Sequence, residues 1–342
     1  MDDDGLLCDE VLDLTPPPLN ESSAVELRRL QQPSVAYNAA APFSREEFEE
    51  AVRILVENER KHMPEPGYAD YLQSNTLVYN ARFKAVRWII GSQKRLSLSP
   101  ESIFCAANYI DRFISLRKCE GWECCMFDLL SIACLYVASK FNETHLPSLH
   151  AIQMEGIEHP FEDDLIRRME LSLVEALGWK MRSITPYSYL QLVEWNHTLI
   201  PCNFTVEDDV LMKTSHAVTE MLLGLLFDPK FLEFRPSVVA EATLQCVLKD
   251  VIIPSRGCNL RYSEHFTSLL PQDQKDGLKV CLEMMNKRRS REETKEECES
   301  STSNNNHSID ISSVKRKREI VPCIVLQNWG GEQKRVKESR GG

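Results

Sequence analysis

The sequence lacks the short motifs that mark the common classes of catalytic site. It contains no GxxxxGK phosphate-binding loop, no HExxH zinc motif, no GxSxG nucleophile elbow and no protein-kinase signature. Its 12 cysteines include no CxxC pair, and the adjacent Cys124 and Cys125 have no histidine at ligand spacing. We therefore expect reduced, intracellular thiols, no catalytic residues, no bound metal and no cofactor.

The sequence also lacks an apolar run long enough to cross a membrane, and no signal peptide is expected. Its longest such run, from Leu129 to Ala138, is interrupted by Ser131. It falls well short of the roughly 20 residues that a spanning helix needs, so we expect a buried core helix and no membrane partner. No stretch alternates apolar and polar residues for long enough to form a sheet. The sequence therefore predicts an all-α protein.

Charge is unevenly distributed along the chain, whose formal net charge is −11. Residues 287–342 hold 13 basic and 9 acidic side chains, whereas the preceding residues hold 27 basic and 42 acidic ones. An acidic surface repels a polyphosphate backbone, so we expect no direct binding of nucleic acid by the body of the protein.

Helical patterns fill the region between residues 43 and 286. Ser44 and Glu47 have the spacing of a capping box, while Ser99-Pro100 and Thr185-Pro186 have the N-cap and N1 pattern of a helix start. Further helices are predicted at 76–92, 124–141, 162–177, 186–196, 206–227, 236–250 and 262–286. Residues 43–184 and 185–286 thus form two consecutive bundles. The segments 1–42 and 287–342 have the composition of disordered tails.

Three segments of the first bundle resemble the cyclin box. They are NYIDRF at 108–113, VASKFNE at 137–143 and RRMELSLVEALGW at 167–179, followed by ITPYSYL at the start of the second bundle. With the Leu-x-Cys-x-Glu motif near the N-terminus, the resemblance is to D-type cyclins, particularly those of plants. It implies two tandem five-helix cyclin-box bundles. It also implies a non-catalytic subunit that binds and allosterically activates a cyclin-dependent kinase.

The resemblance implies that Lys140 and Glu170 grip the regulatory helix of that kinase at its two ends. An ammonium group donates hydrogen bonds and a carboxylate accepts them, so both can bind backbone groups of a partner. Five further residues match the apolar floor beneath the kinase helix: Val137, Phe141, Val174, Trp179 and Met181. Without the resemblance, these five indicate ordinary core packing, Lys140 a solvated charge and Glu170 a surface ion pair.

Arg82 and Asp111 match a buried ion pair that joins two helices of the cyclin box. Such a pair adds little net stability, but the loss of one partner leaves an uncompensated buried charge. The resemblance therefore implies a structural role for both residues.

A groove that docks Arg-x-Leu peptides of substrates and kinase-inhibitor proteins in many cyclins fits this sequence badly. The matching positions are Trp88, Ala81, Lys84, Ala85 and Gly91, with Phe127 and Asp128 nearby. Lys84 replaces an apolar residue, and Gly91 replaces the acid that would bind the incoming arginine. We therefore expect weak docking of Arg-x-Leu peptides.

Two short motifs in the tails predict a partner and a location. In an extended peptide Leu6, Cys8 and Glu10 project from one edge, and the resemblance implies that they bind a retinoblastoma-related pocket protein. The kinase would thereby be directed to that protein and promote the start of DNA synthesis and cell division. The run Lys315, Arg316, Lys317 and Arg318 predicts nuclear import, with a cytoplasmic fraction also expected.

Two other functions stay open on the sequence alone. A transcription adaptor of the general initiation type also uses tandem cyclin folds, but it would need a basic bundle face and an N-terminal zinc ribbon. A scaffold that binds the pocket protein without activating a kinase would not need Lys140 and Glu170. Binding experiments on variants of these residues separate the three functions.

Overall fold

The computed structural model describes residues 44–153, 157, 160–194, 208–252 and 261–300. The secondary structure of these residues is helical, with no strand among them. The all-α prediction is confirmed. The predicted N-terminal tail, residues 1–42, and residues 301–342 of the predicted C-terminal tail lie outside the described residues.

The first bundle consists of seven α-helices and one short 3-10 helix in its described part. In chain order these are α1 (Arg45–Asn58), the 3-10 helix Glu59–His62, α2 (Tyr68–Ser74), α3 (Thr76–Leu96), α4 (Pro100–Arg117), α5 (Cys124–Asn142), α6 (Leu149–Gln153) and α7 (Asp163–Ala176). The second bundle follows with α8 (Pro186–Glu194), α9 (Asp208–Leu225), the 3-10 helix Pro229–Glu233, α10 (Pro236–Ile252), α11 (Arg261–Leu269) and α12 (Gln272–Ser300).

Side-chain caps start two of the helices where the sequence predicts them. Ser44 Oγ accepts from the backbone N–H of Glu47, and the Glu47 carboxylate accepts from the backbone N–H of Ser44 at 2.9 Å. Ser99 Oγ accepts from the N–H of Ser102 at 3.3 Å, with Pro100 in the first helical position. Each cap satisfies backbone donors that have no partner within the helix.

Helix α5 is the centre of the first bundle, with α3, α4 and α7 packed around it. It is long and apolar enough to cross a membrane by length and composition, but 67% of its most apolar window is buried inside the fold. Leu129, Ile132, Ala133 and Leu135 are fully buried. The core therefore accounts for the apolar character of this helix.

Helix α1 and the 3-10 helix after it connect the two bundles, whose described residues belong to one compact unit. Helix α1 packs against α8 and α11 of the second bundle. Glu59, in the 3-10 helix, is completely buried, and its carboxylate accepts hydrogen bonds from Tyr189 at 2.7 Å and Gln274 at 3.3 Å. A side chain of the first bundle thus enters the core of the second.

The end of the second bundle differs from the prediction in two ways. The prediction of a single helix over 262–286 was wrong, because the helix is interrupted between Leu269 and Gln272, at Pro271. Proline lacks an N–H and disfavours helical geometry in the residue before it. Helix α12 also continues to Ser300, beyond residue 287 where the predicted tail begins. Extending a helix already nucleated by buried Leu278, Cys281 and Met285 costs far less than starting one.

Candidate functional site

Lys140 and Glu170 face each other across the ends of two neighbouring helices. Lys140 lies in the last turn of α5, and its Nζ donates to Glu170 Oε2 on α7. The lysine side chain is 39% exposed and the glutamate side chain 11% exposed. The Lys140 ammonium also lies 4.3 Å from the ring centroid of Tyr136. The pair is therefore anchored at its carboxylate end and open to solvent at its ammonium end.

The second carboxylate oxygen of Glu170 has no hydrogen bond. Oε1 is buried and has no partner among the residues that the structure describes. A buried acceptor without a donor costs about 1–3 kcal/mol. A partner's N–H group that reaches this oxygen would remove that cost.

Two large apolar side chains project into solvent close in sequence to this pair. Phe141 follows Lys140 and is 53% exposed, while Trp179 follows α7 and is 73% exposed. Leu146 and Leu171 are also exposed. These leucines are not among the predicted site residues, although Leu171 lies outside the apolar face that its helix turns to the core. Where exposed apolar groups of this size form a contiguous patch, they are typical of a binding surface.

Two of the predicted floor residues are buried, and a third is partly buried. Val137 and Met181 belong to the buried core, and Val174 is partly buried against it. They therefore offer a partner little surface of their own. In the unbound chain these residues pack as ordinary core residues.

Glu143, within the VASKFNE segment but given no role by the sequence analysis, fixes the end of α5 that carries Lys140. Its Oε1 accepts from Ser99 N and Ser99 Oγ, each at 2.8 Å, and from Ser102 Oγ at 2.5 Å. The carboxylate thus holds the start of α4 against the C-terminal end of α5. The sequence does not indicate that Glu143 accepts hydrogen bonds from Ser99 and Ser102, which lie far away along the chain.

The turn after α7 contains two consecutive residues in the left-handed region. Gly178 has φ of +60° and Trp179 has φ of +61°. The N–H of Gly178 donates to Glu175 O, and that of Trp179 donates to Val174 O at 3.0 Å. Glycine adopts this conformation freely, whereas a tryptophan there costs about 1–3 kcal/mol.

Arg82 and Asp111 form a bidentate pair in the core of the first bundle. Arg82 Nε lies 2.6 Å from Asp111 Oδ1, Nη2 lies 2.9 Å from Oδ2, and both side chains are 1% exposed. Tyr68 Oη donates to the same carboxylate. Burial alone would lower the pKa of Arg82, but the Asp111 charge and its hydrogen bonds together raise that pKa above the ordinary value.

The positions of the candidate Arg-x-Leu groove are largely covered. Ala81 and Ala85 are buried, Trp88 is half-buried, and Lys84 and Gly91 are exposed. Lys84 Nζ bridges to Asp128 Oδ2 at 3.0 Å. Asp128, the acid near these positions, is therefore already paired with a lysine of the chain itself.

Two predicted motifs lie outside the described residues. These are the N-terminal Leu6, Cys8 and Glu10, and the basic run Lys315, Arg316, Lys317 and Arg318.

Comparison with known proteins gives family matches to both bundles. A model of the cyclin N-terminal domain matches residues 50–182, and a model of the cyclin C-terminal domain matches residues 184–316. Among solved structures, a viral cyclin from herpesvirus saimiri is similar at 14% identity, with a TM-score of 0.47, over 61% of this chain and 85% of that one.

Three curated relatives, each about one third identical to this chain, are plant proteins. Cyclin-D1-1 of Arabidopsis thaliana is 32% identical over 59% of this chain and 58% of its own length. Cyclin-D2-2 of Oryza sativa subsp. japonica is 33% identical over 62% of this chain and 57% of its own length. Cyclin-D4-2 of Arabidopsis thaliana is 34% identical over 57% of this chain and 64% of its own length. The chain thus spans about three fifths of the length of these relatives.

Proposed function

Because this chain belongs to the cyclin family, among the D-type cyclins, we propose that it binds a cyclin-dependent kinase and activates it allosterically. The chain itself is the regulatory, non-catalytic subunit. Its contribution is to hold the mobile regulatory helix of the kinase in the position that phosphoryl transfer requires.

The pairing of Lys140 with Glu170 is the observation that carries this proposal. Because Lys140 and Glu170 are in contact with each other, they can bind backbone groups at only one end of a partner helix. There Glu170 offers its unpaired Oε1 to a free N–H group, and Lys140 offers ammonium donors to a neighbouring carbonyl. Phe141 and Trp179 supply exposed apolar surface for the side chains of the partner helix.

Activation follows from differential binding. In protein kinases the glutamate of the regulatory helix must pair with the lysine that positions the ATP phosphates. A ligand that binds only the inward position of that helix shifts the population of the kinase toward its active state. The binding energy of this site is therefore converted into catalytic competence of the partner.

We further propose that Leu6, Cys8 and Glu10 dock a retinoblastoma-related pocket protein. Their alternate spacing and the acids around them, Asp2, Asp3, Asp4 and Asp9, suit an extended peptide that approaches a groove with a basic rim. Tethering raises the effective concentration of the pocket protein for the bound kinase. Phosphorylation of that substrate would then promote the start of DNA synthesis and cell division.

We also propose nuclear import through Lys315, Arg316, Lys317 and Arg318, with a cytoplasmic fraction. Replacing the four with alanine is expected to move a fluorescent fusion of the full chain from the nucleus to the cytoplasm. An unchanged nuclear signal would contradict this proposal.

The kinase and pocket-protein roles are separable by mutation. In affinity purification from dividing cells, we expect Lys140→Ala/Glu170→Ala to lose the kinase and keep the pocket protein, and Cys8→Ala to do the reverse. The matched control Asp276→Ala/Lys279→Ala removes an exposed ion pair of 3.2 Å on α12 and should keep both partners. Recovery of the kinase with the first double variant at wild-type yield would refute the kinase-binding role of the pair.

A further inference from the structure

Arg112, on helix α4, is a buried cation with no carboxylate partner. Its residue is 5% exposed, and among the residues that the structure describes no acid lies within 4.0 Å of its guanidinium. Burial lowers its pKa. A charge in such a place is retained only if other groups satisfy its donors.

The acceptors of Arg112 are backbone carbonyls on either side of Trp179. Nη2 donates to Leu177 O at 3.3 Å, and Nη1 donates to Lys180 O at 2.9 Å. Nη1 also donates to Ser183 Oγ at 3.1 Å. One planar guanidinium therefore joins both ends of the strained turn that presents the indole ring.

A second residue of the same helix face reinforces this clamp. Tyr109 lies one turn before Arg112, is fully buried, and donates its hydroxyl to Met181 O. Ser183 in turn donates to Asn108 Oδ1 at 2.7 Å. The turn from residue 177 to 183 is thus held from α4 at several successive points.

Burial of the indole does not explain the left-handed conformation of Trp179, because the residue is 73% exposed. A strained residue that persists is held by its surroundings, and such strain is found at binding sites. We infer that Arg112 is a positioning residue for partner binding: it fixes the turn 177–181 so that the indole of Trp179 is preorganised to contact the kinase. This inference rests on the proposed function.

The fork geometry of arginine matters here more than its charge. Arg112→Lys keeps the cation but cannot reach two separated carbonyls with a planar pair of donors. Arg117→Lys makes the same chemical change at an exposed position of the same helix and is the matched control. Tyr109→Phe removes only the hydroxyl that binds Met181 O and provides a milder variant if Arg112→Lys does not fold.

The first readout needs no partner. Lys180 and Arg182 are exposed, so trypsin can cut after them once the turn opens. In the full chain we expect cleavage at these two sites to be about tenfold faster in Arg112→Lys than in the unmodified chain or Arg117→Lys. Tyr109→Phe should give a smaller increase. Cleavage at an unchanged rate in both Arg112→Lys and Tyr109→Phe would overturn the inference.

The second readout is a double-mutant cycle for binding a purified cyclin-dependent kinase catalytic subunit. Arg112→Lys should weaken binding about fivefold when Trp179 is present and by less than about twofold in a Trp179→Ala background. Additive effects of the two substitutions would overturn the positioning role while leaving the proposed function intact. Failure of the unmodified, folded chain to bind any such kinase would overturn both.

Discussion

Ser237 donates both its backbone N–H and its hydroxyl to the carboxylate of Glu59, at 2.8 and 2.9 Å. Ser237 lies in the first turn of α10, so a glutamate from the first bundle satisfies backbone and side-chain donors at the start of a helix in the second. Favourable interaction of an anion with a helix N-terminus adds to the hydrogen bonds. The junction of the two bundles therefore depends on one carboxylate.

Substitution of Glu59 tests that dependence. All of its partners donate, so the amide nitrogen of Glu59→Gln would face donors in a closed site, and we expect a loss of about 1–3 kcal/mol of stability. Glu57→Gln, an exposed change on the preceding helix, is the control and should have little effect. Denaturant unfolding of the purified chain measures both. Equal stability of the two variants would contradict the role assigned to Glu59.

Asp111→Asn should leave the buried guanidinium of Arg82 without a counter-charge. We expect a cost of about 3–5 kcal/mol, measured by denaturant unfolding. The exposed pair of Asp276 and Lys279 provides the comparison, and Asp276→Asn should cost less than about 1 kcal/mol. A loss of similar size for both would show that burial of the Arg82 pair has no special consequence.

Stability should fall on acidification through His62. Burial, with the nearby charges of Arg112 and Lys180, lowers the pKa of His62 from 6.5 to about 4. The unfolded chain therefore takes up a proton below about pH 6.5 that the folded chain resists, and up to about 3 kcal/mol is lost as the pH falls from 6.5 to 4. His62→Asn should flatten this part of the stability profile. His145→Asn, at an exposed position, should leave it unchanged.

The groove near Trp88 should bind Arg-x-Leu peptides weakly. Lys84 is paired with Asp128, and its positive charge repels an incoming arginine. Lys84→Leu removes that repulsion and adds apolar surface, so we expect peptide affinity to rise by about fivefold in a titration. Tight binding by the unmodified chain that disappears in Trp88→Ala would contradict this expectation.

Local signals predicted the helix starts, whereas long-range contacts decided the rest. Ser44 and Ser99 cap helices because a short side chain reaches the next turn of its own chain. The end of α12 could not be read this way. Its charged residues resemble a disordered tail in composition, and only packing of the earlier turns makes the helix form.

The candidate site was predictable in its charged pair and less so in its surroundings. Lys140 and Glu170 stand in segments whose pattern resembles a known family, whereas burial of Val137 and Met181 depends on the packed bundle. Arg112 stands in the NYIDRF segment, but its role gave no signal because two of its three acceptors are backbone carbonyls 65 residues or more away in sequence. Every residue has a backbone carbonyl, so the sequence does not indicate which carbonyls accept from Arg112.

The central claim is that Lys140 and Glu170 together turn a bound kinase on. The most direct measurement is the rate at which a purified cyclin-dependent kinase phosphorylates a pocket-protein substrate with the unmodified chain, with Lys140→Ala/Glu170→Ala, and with no addition. We predict strong stimulation by the unmodified chain and a rate near the unstimulated one with the folded double variant. Equal rates under all three conditions, or full stimulation by the double variant, would contradict it.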